Sequence, residues 1–316
     1  MIEYSTDSAA YDYLGRPVST GGEQHSGQVR MAYRLAAAYV DRLLYVAGIG
    51  WHYYDGTRWR EDDRGYARRA VLDVLAQALA ESVGDKQLRA DVARCESDAG
   101  ISGVLGVAGA LVEFAATVDD LDRDPCLLNA ANGTLDLRTM RLREHDPADR
   151  LSKVTTAAYR PDADQTEWRA FLDAVLPDAD ERDYLQRVVG QSLYGRVTEH
   201  LLPVLIGTGA NGKSTFASAV SGALGDYAAV IDPSLLMAPD RGRGSGGPEL
   251  MQLLGARLVI GSETEEGRKL DEPTMKRLTG GDALTARRLY REPVTWMPSH
   301  QLVYCTNRLP VVRGND

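Results

Sequence analysis

The chain has 316 residues, 44% hydrophobic and 26% charged, with a formal net charge of −9. That is room for two or three packed domains of ordinary globular composition, with no apolar run long enough to cross a membrane and no basic-then-apolar signal peptide behind Met1. The acidity argues against indiscriminate polyanion binding but not against a local basic channel, and Cys95, Cys126 and Cys305 have no metal or redox spacing, as expected of reduced thiols in a cytoplasmic protein.

Residues 1–27 are rich in Ser, Gly and Asp without periodicity and predict a flexible leader. From Gln28 the chain turns amphipathic, with Val29, Ala32, Leu35, Ala36 and Tyr39 on one helical face. Asp55-Gly56, between the aromatic stretches 51–54 and 57–59, predicts a hairpin. A helix follows over 66–82, with Val71, Leu72, Leu75 and Leu79 as its apolar stripe, and more helix is predicted over 86–98 and 103–118. Asn132-Gly133 marks a second hairpin, and two further helices fall at 167–175 and 181–194 around Pro177-Asp178. No internal repeat is visible. The expected organisation is a leader (1–27), an N-terminal α+β region (28–125), a mainly helical middle (126–198) and a nucleotide-binding part (199–316).

The last part is the most informative. Gly207-Thr208-Gly209-Ala210-Asn211-Gly212-Lys213-Ser214-Thr215 fits the phosphate-loop pattern G-x-x-x-x-G-K-[ST]. The apolar run 201–206 before it reads as a strand and 216–224 after it as a helix, the context that the pattern requires. Triphosphate oxygens need a cradle of backbone N–H groups, which Gly207, Gly209 and Gly212 permit through close approach and positive φ. The following helix presents its N-terminal dipole. Lys213 is expected to reach the β- and γ-phosphates of ATP, and the Ser214 hydroxyl to bind Mg2+. The plainer alternative is a glycine-rich turn that happens to carry Lys-Ser.

Such a loop needs an acidic partner on a neighbouring strand. The segment 258–266 is an apolar strand running into Glu263, Glu265 and Glu266. Glu263, first off the strand, is assigned to the metal shell, and Glu265 is the candidate for polarising water; an acidic solvated loop is the alternative. A third strand, 301–306, ends at Asn307, placed to orient the attacking water. Between them lie the tight turn Thr279-Gly280-Gly281-Asp282 and a hairpin around Glu292-Pro293. Lys276, Arg277, Arg287, Arg288 and Arg291 cluster here with Tyr290 and Trp296, a composition suited to stacking on single-stranded nucleic acid. A solvated basic hairpin, or arginines serving ATP across a subunit interface, are the alternatives.

The words GTGANGKST, RLVIGSETEEG, KRLTGGDALTARRLY and LVYCTNRLP together resemble the superfamily 3 helicase module of phage, plasmid and poxvirus primase–helicases. Residues 128–137, Tyr159-Arg160-Pro161 and 184–190 resemble the helical domain preceding that module, so the likeness covers roughly 126–316. It implies an AAA+-type three-layer α/β ATPase, with helical regions before it, that assembles as a ring, usually a hexamer, and translocates on DNA at a replication fork. It assigns Lys213, Ser214 and Glu263 to ATP and Mg2+, Asn307 to a sensor role, and 276–298 to a DNA-facing hairpin. For a phage or plasmid gene the compartment would be the bacterial cytoplasm.

Two departures qualify the expectation. The family's text continues beyond Asn307 to a pair of arginines that includes the finger for the neighbouring subunit's ATP, whereas this chain runs only to Asp316, so a C-terminally truncated module is expected. No acidic-pair and histidine constellation suits a primase, so primer synthesis would lie on a separate protein. Two readings follow: a replicative DNA helicase subunit, or a remnant that binds ATP or a homologue's ring without turnover. A small-molecule kinase sharing the loop would need an acceptor pocket that these motifs do not suggest.

Overall fold

The computed structural model describes residues 24–207, 209–237, 248–262, 271–289 and 291–307. The chain divides into two units, 1–120 and 121–316, and each combines helix with sheet, so the fold is mixed α/β. Most of the expected leader lies outside the described residues; helix begins at Gly27.

The first unit contains α1 (Gly27–Tyr39), β1 (Leu43–Val46), β2 (Gly50–Tyr54), β3 (Trp59–Glu61), α2 (Tyr66–Glu81), α3 (Lys86–Cys95), α4 (Asp98–Ala108) and β4 (Ala115–Ala116). Its sheet runs β3-β2-β1-β4. The hairpin expected at Asp55-Gly56 joins β2 to β3, and the Asp55 Oδ1 accepts from the backbone N–H groups of Thr57 at 2.9 Å and Arg58 at 3.0 Å. That is an Asx-type turn in which the side chain substitutes for a backbone acceptor. The core is formed by Met31, Ala32 and Leu35 of α1 with Val71, Val74 and Leu75 of α2, Val92 of α3 and Val104 of α4.

Two expectations are corrected here. Leu72 and Leu79, assigned to the apolar stripe of α2, are 49% and 40% exposed. The buried face is instead carried by Ala67, Ala70 and Ala78 beside Val71, Val74 and Leu75, because small residues allow close helix approach. The helix expected over 103–118 stops at Ala108. The segment beyond it supplies β4, and carbonyls in and just before β4 accept from β1 and the residue after it: Tyr45 N–H donates to Phe114 O at 2.7 Å and Ala47 N–H to Ala116 O at 2.9 Å. A sheet ladder overrides the helical preference of an alanine-rich stretch.

The second unit opens with a meander, β5 (Leu127–Ala130), β6 (Gly133–Asp136) and β7 (Arg141–Arg143). The Asn132-Gly133 turn joins β5 and β6, and a Cβ on Gly133 would fall 2.3 Å from Arg143 O. This region is therefore not mainly helical throughout: its α-helices are α5 (Thr166–Val175) and α6 (Ala179–Gln191), with one 3-10 turn at Pro147–Asp149. The Asp178 carboxylate caps α6, accepting from Asp180 N at 2.8 Å and Glu181 N at 3.2 Å.

A parallel sheet follows in the order β8-β13-β10-β9, built from β8 (Val204–Ile206), β9 (Ala228–Ile231), β10 (Leu258–Ser262) and β13 (Gln301–Thr306). Helix α7 (Lys213–Leu224) links β8 to β9. The central strands are near-continuous apolar runs, as expected of a parallel sheet buried on both faces. Val220 and Leu224 of α7 pack with Leu258, Ile260, Val303, Tyr227 and, from the meander, Leu128 and Leu135. Arg257, 1% exposed, donates to the carbonyls of Leu127 and Leu193 and lies 4.6 Å from the centroid of the Tyr227 ring. It therefore fastens the meander and the end of α6 to the parallel sheet. The remaining elements are α8 (Glu272–Thr279), β11 (Leu284–Ala286) and β12 (Val294–Trp296), the last two antiparallel around the expected hairpin.

Candidate functional site

The strand, the loop and the helix of the glycine motif occur in the order expected, β8, 207–212 and α7. Among the described loop residues, Ala210 (61°) and Gly212 (85°) have positive φ. Gly207 leaves room for a neighbour: a Cβ there would fall 1.6 Å from Asn211 Nδ2, so the Asn211 side chain, which folds across the loop at this point, would have to move for any other residue. Gly212 has a close neighbour too, since its Cβ would fall 2.6 Å from Val175 Cγ1 of α5. Helix α7 begins at Lys213, and its first-turn N–H groups face the loop as an anion site in waiting.

Lys213 Nζ donates to Gly207 O at 2.5 Å, Asn211 Oδ1 at 3.0 Å and Asn307 Oδ1 at 3.1 Å. An ammonium has three N–H donors, and these oxygens account for three. The Asn307 contact exists because β8 and β13 are paired in parallel, with Thr306 opposite Ile206. Both strands thus discharge their following residues at the same sheet end, where α/β proteins bind ligands.

A cavity of about 450 Å3 opens at that end. Lys213, Ser214, Ser262 and Asn307 supply its polar wall and Ala217, Val230 and Ile260 its apolar floor. Ser262 is the last residue of β10 and directly precedes Glu263. Cys305 also lines it: burial pushes its thiol up while the nearby Lys213 charge opposes that shift. Thr208, Glu263, Glu265, Glu266 and Tyr290 lie outside the described residues.

A second cavity, of about 590 Å3, adjoins the other side of the loop. Leu172, Val175 and Leu176 of α5, Tyr184 and Leu185 of α6, the β8 strand and Phe216 enclose it, with Asn211, Gly212 and Lys213 at one end. Sequence reasoning identifies α5 and α6 as helices but gives them no part in a site. The available signal is their position just upstream of the loop strand, with apolar residues at Phe171, Leu172, Val175 and Leu185.

The basic residues are distributed over two elements. Lys276 and Arg277 stand in the last turn of α8, where cations also favour the helix dipole. Arg287, Arg288 and Arg291 lie in the loop between β11 and β12, whose Leu289 is 77% exposed. Trp296, expected to interleave with them for stacking, is only 5% exposed within β12 and belongs to the core. Its neighbours in the strand alternate inward and outward, and the register turns its indole inside.

Comparison with known proteins adds a context. Residues 32–177 match a family described as D5 N terminal like, and residues 205–316 match a family of unknown function (DUF5906). The chain is 26% identical to "Putative helicase L207/L206" of Acanthamoeba polyphaga mimivirus, over 84% of this chain and 30% of that protein. It is 24% identical to "Putative primase C962R" of African swine fever virus, over 68% of this chain and 23% of that protein. The matched region thus spans less than a third of either relative. Among solved structures, the apo structure of the NrS-1 C terminal region (305-718) aligns over 56% of this chain and 48% of that one, at 13% identity and a TM-score of 0.38, too loose a likeness to carry an argument. No helix among the described residues is long and apolar enough to cross a membrane. The sequence matches thus show the chain to be similar to viral proteins named as a helicase and a primase.

Proposed function

We propose that the second unit binds ATP with Mg2+ and couples its hydrolysis to movement along single-stranded DNA, as a helicase subunit of replication primase–helicase type. The observation that carries this reading is the meeting of Lys213, Ser214 and Asn307 around one cavity at the end of parallel strands. The viral relatives named as helicases and primases support it.

In this reading the loop amides and the α7 N-terminus hold the phosphates, and Lys213 exchanges its present oxygen partners for β/γ oxygens. Asn307 orients the attacking water by hydrogen bonding, and Glu265 polarises it. The Ser214 hydroxyl lines the same cavity as Ser262, the residue before Glu263, an oxygen-rich setting that fits a hard cation. Ser214 and Glu263 would hold Mg2+, which when bound neutralises charge on the phosphate oxygens. Arg287, Arg288 and Arg291, with Lys276 and Arg277, would contact the DNA backbone, and copies of the chain would assemble as a ring.

The test is ATP hydrolysis with and without single-stranded DNA, together with nucleotide binding by calorimetry. Lys213→Ala removes the point charge without touching the glycines, so MgATP binding should be largely lost while circular dichroism is unchanged. Equal affinity in the variant and the wild type would overturn the phosphate-loop reading.

A further inference from the structure

The first unit carries a cluster of arginines held on tyrosine rings. We propose that Arg42, Arg60 and Arg69, gathered around the stacked pair Tyr53 and Tyr66, form a separate contact site for a single nucleic acid strand and bind successive phosphates of its backbone. The choice of partner rests on the reading that the chain acts on single strands. The site itself shares no residue with the phosphate-loop cavity or with the β11–β12 loop.

Turns and register assemble the cluster. The chain reverses between α1 and β1 through Asp41, at a φ of 61°, and the Arg42 guanidinium lies 5.0 Å from the centroid of the Tyr39 ring. Arg42 Nη2 also donates to Tyr66 Oη at 3.3 Å. Tyr66 opens α2 and stacks on Tyr53 of β2, with centroids 4.8 Å apart and planes 16° from parallel. Arg69, one turn further along α2, lies 5.8 Å from the Tyr66 centroid. Arg60 of β3 is opposite Tyr53 in the β2–β3 register, so both stand on the same face of the sheet. Arg42 and Arg69 are exposed and Arg60 is half-buried.

These cations are not neutralised within the fold. Among the described residues none of the three pairs with a carboxylate, and the Arg60 guanidinium has no hydrogen-bond partner. Arg69 gives Nη1 to Arg64 O at 2.6 Å. The carboxylates nearby serve the backbone and other side chains. Asp62 accepts from the first amides of α2, Tyr66 N at 2.7 Å and Ala67 N at 2.8 Å, and Asp73 accepts from Tyr39 Oη at 2.9 Å. Asp55 holds the β2–β3 turn and lies 3.6 Å from Arg58 Nε. Glu61, opposite His52, stands on the other face of the sheet from Arg60. In a chain with a net charge of −9, unneutralised cations collected at one place are a local exception of the kind that a polyanion contact uses. Stacking on a ring restrains a guanidinium without occupying its N–H donors, so the planar fork is pre-organised for phosphate oxygens. Tyrosine rings beside the cations add a surface for bases, the combination that suits a single strand.

The test measures binding of a fluorescent oligothymidylate to the full chain by anisotropy over a range of salt. Replacing Arg42, Arg60 and Arg69 together with Ala should weaken binding at least tenfold at about 0.1 M salt and flatten the slope of log affinity against log salt by about 2, at roughly 0.7 per phosphate contact. MgATP affinity in the same variant, read by calorimetry, should stay within about twofold. Should the triple variant misfold, Arg60→Glu decides, because the Arg60 guanidinium has no partner in the fold to lose. Several-fold weaker binding by Arg60→Glu supports the site, and unchanged binding overturns it. Replacing Arg287, Arg288 and Arg291 with Ala in a parallel measurement separates the two basic clusters: a wild-type slope in the Arg42, Arg60 and Arg69 variant beside a flattened one in the β11–β12 variant overturns this site and leaves the loop's role standing. A polyglutamate peptide that displaces the probe as well as unlabelled oligothymidylate does would overturn the nucleic acid assignment in favour of an acidic protein partner. A wild-type chain that binds no oligothymidylate overturns it too, whatever its MgATP affinity.

Discussion

Lys213 and Asn307, 94 residues apart in the chain, meet at 3.1 Å. The lysine follows the edge strand β8 and the asparagine its only sheet neighbour among the described residues, β13. In the proposed reading, a phosphate oxygen arriving at Lys213 would compete with this contact and with those to Gly207 O and Asn211 Oδ1.

Asn307→Ala should therefore separate binding from turnover. The backbone cradle and Lys213 remain, so the ATP dissociation constant should stay within about threefold, while DNA-stimulated hydrolysis should fall at least tenfold, in the range that loss of one positioning hydrogen bond produces. Steady-state kinetics beside calorimetry check both halves. A fall in affinity with unchanged kcat would make Asn307 a support for the loop rather than a positioner of water.

The β11–β12 loop should show its role through salt. Replacing Arg287, Arg288 and Arg291 with Ala removes three cations able to neutralise DNA phosphates. The slope of log affinity against log salt for single-stranded DNA should flatten by roughly 0.7 for each phosphate that is no longer neutralised. An unchanged slope would leave these arginines as a solvated turn.

His300 gives the fold a pH dependence. It is 2% exposed, and burial lowers its imidazole from 6.5 to about 4, outweighing the smaller opposing influence of the Leu278 backbone. An unfolded chain takes up this proton below 6.5 and the folded one does not. Stability is therefore full above the unfolded value and declines as pH falls toward 4, by up to the order of 3 kcal/mol. Urea midpoints at about pH 5 and about pH 7 should differ less in His300→Met than in the wild type.

Arg257 should matter to stability rather than to chemistry. Arg257→Met keeps the stem but strands the buried carbonyl of Leu127 and the partly buried one of Leu193 and forfeits the cation–π contact with Tyr227. Uncompensated acceptors cost about 1–3 kcal/mol each, so a loss of roughly 2–5 kcal/mol is expected in urea titration. A change below about 0.5 kcal/mol would show that the carbonyls find other partners.

Local chemistry explains what is legible in the sequence. The strand-loop-helix around Lys213, the Asn132-Gly133 turn and the Asp55 turn all announce themselves within ten residues, because special φ angles, side-chain acceptors and a change of apolar period leave a mark on neighbouring positions. Long-range preferences leave none. Nothing in the alanine-rich stretch after Ala108 indicates that β1 will recruit Ala115 and Ala116 as a strand. Arg257 reads as an ordinary charged residue before a strand, and only the assembled meander and the end of α6 reveal the carbonyls that bury it. Trp296 reads as a surface ring beside arginines, since the alternation that turns it inward depends on which face of a three-residue strand meets the core.

The sheet order also dictates when the site can come into being. β13 is the last strand described, yet it lies between β8 and β10, each of which pairs with it in parallel. During synthesis β10 can already join β9, but β8 has to wait for residues 301–306 to leave the ribosome and thread into the gap. Until that late, high-contact-order step the loop has no Asn307 to hold its lysine, and the nascent chain carries an unpaired strand beside an apolar groove. In the proposed reading the nucleotide site is therefore complete only once β13 has paired with β8, and a chain in which that pairing has yet to form carries an exposed strand edge.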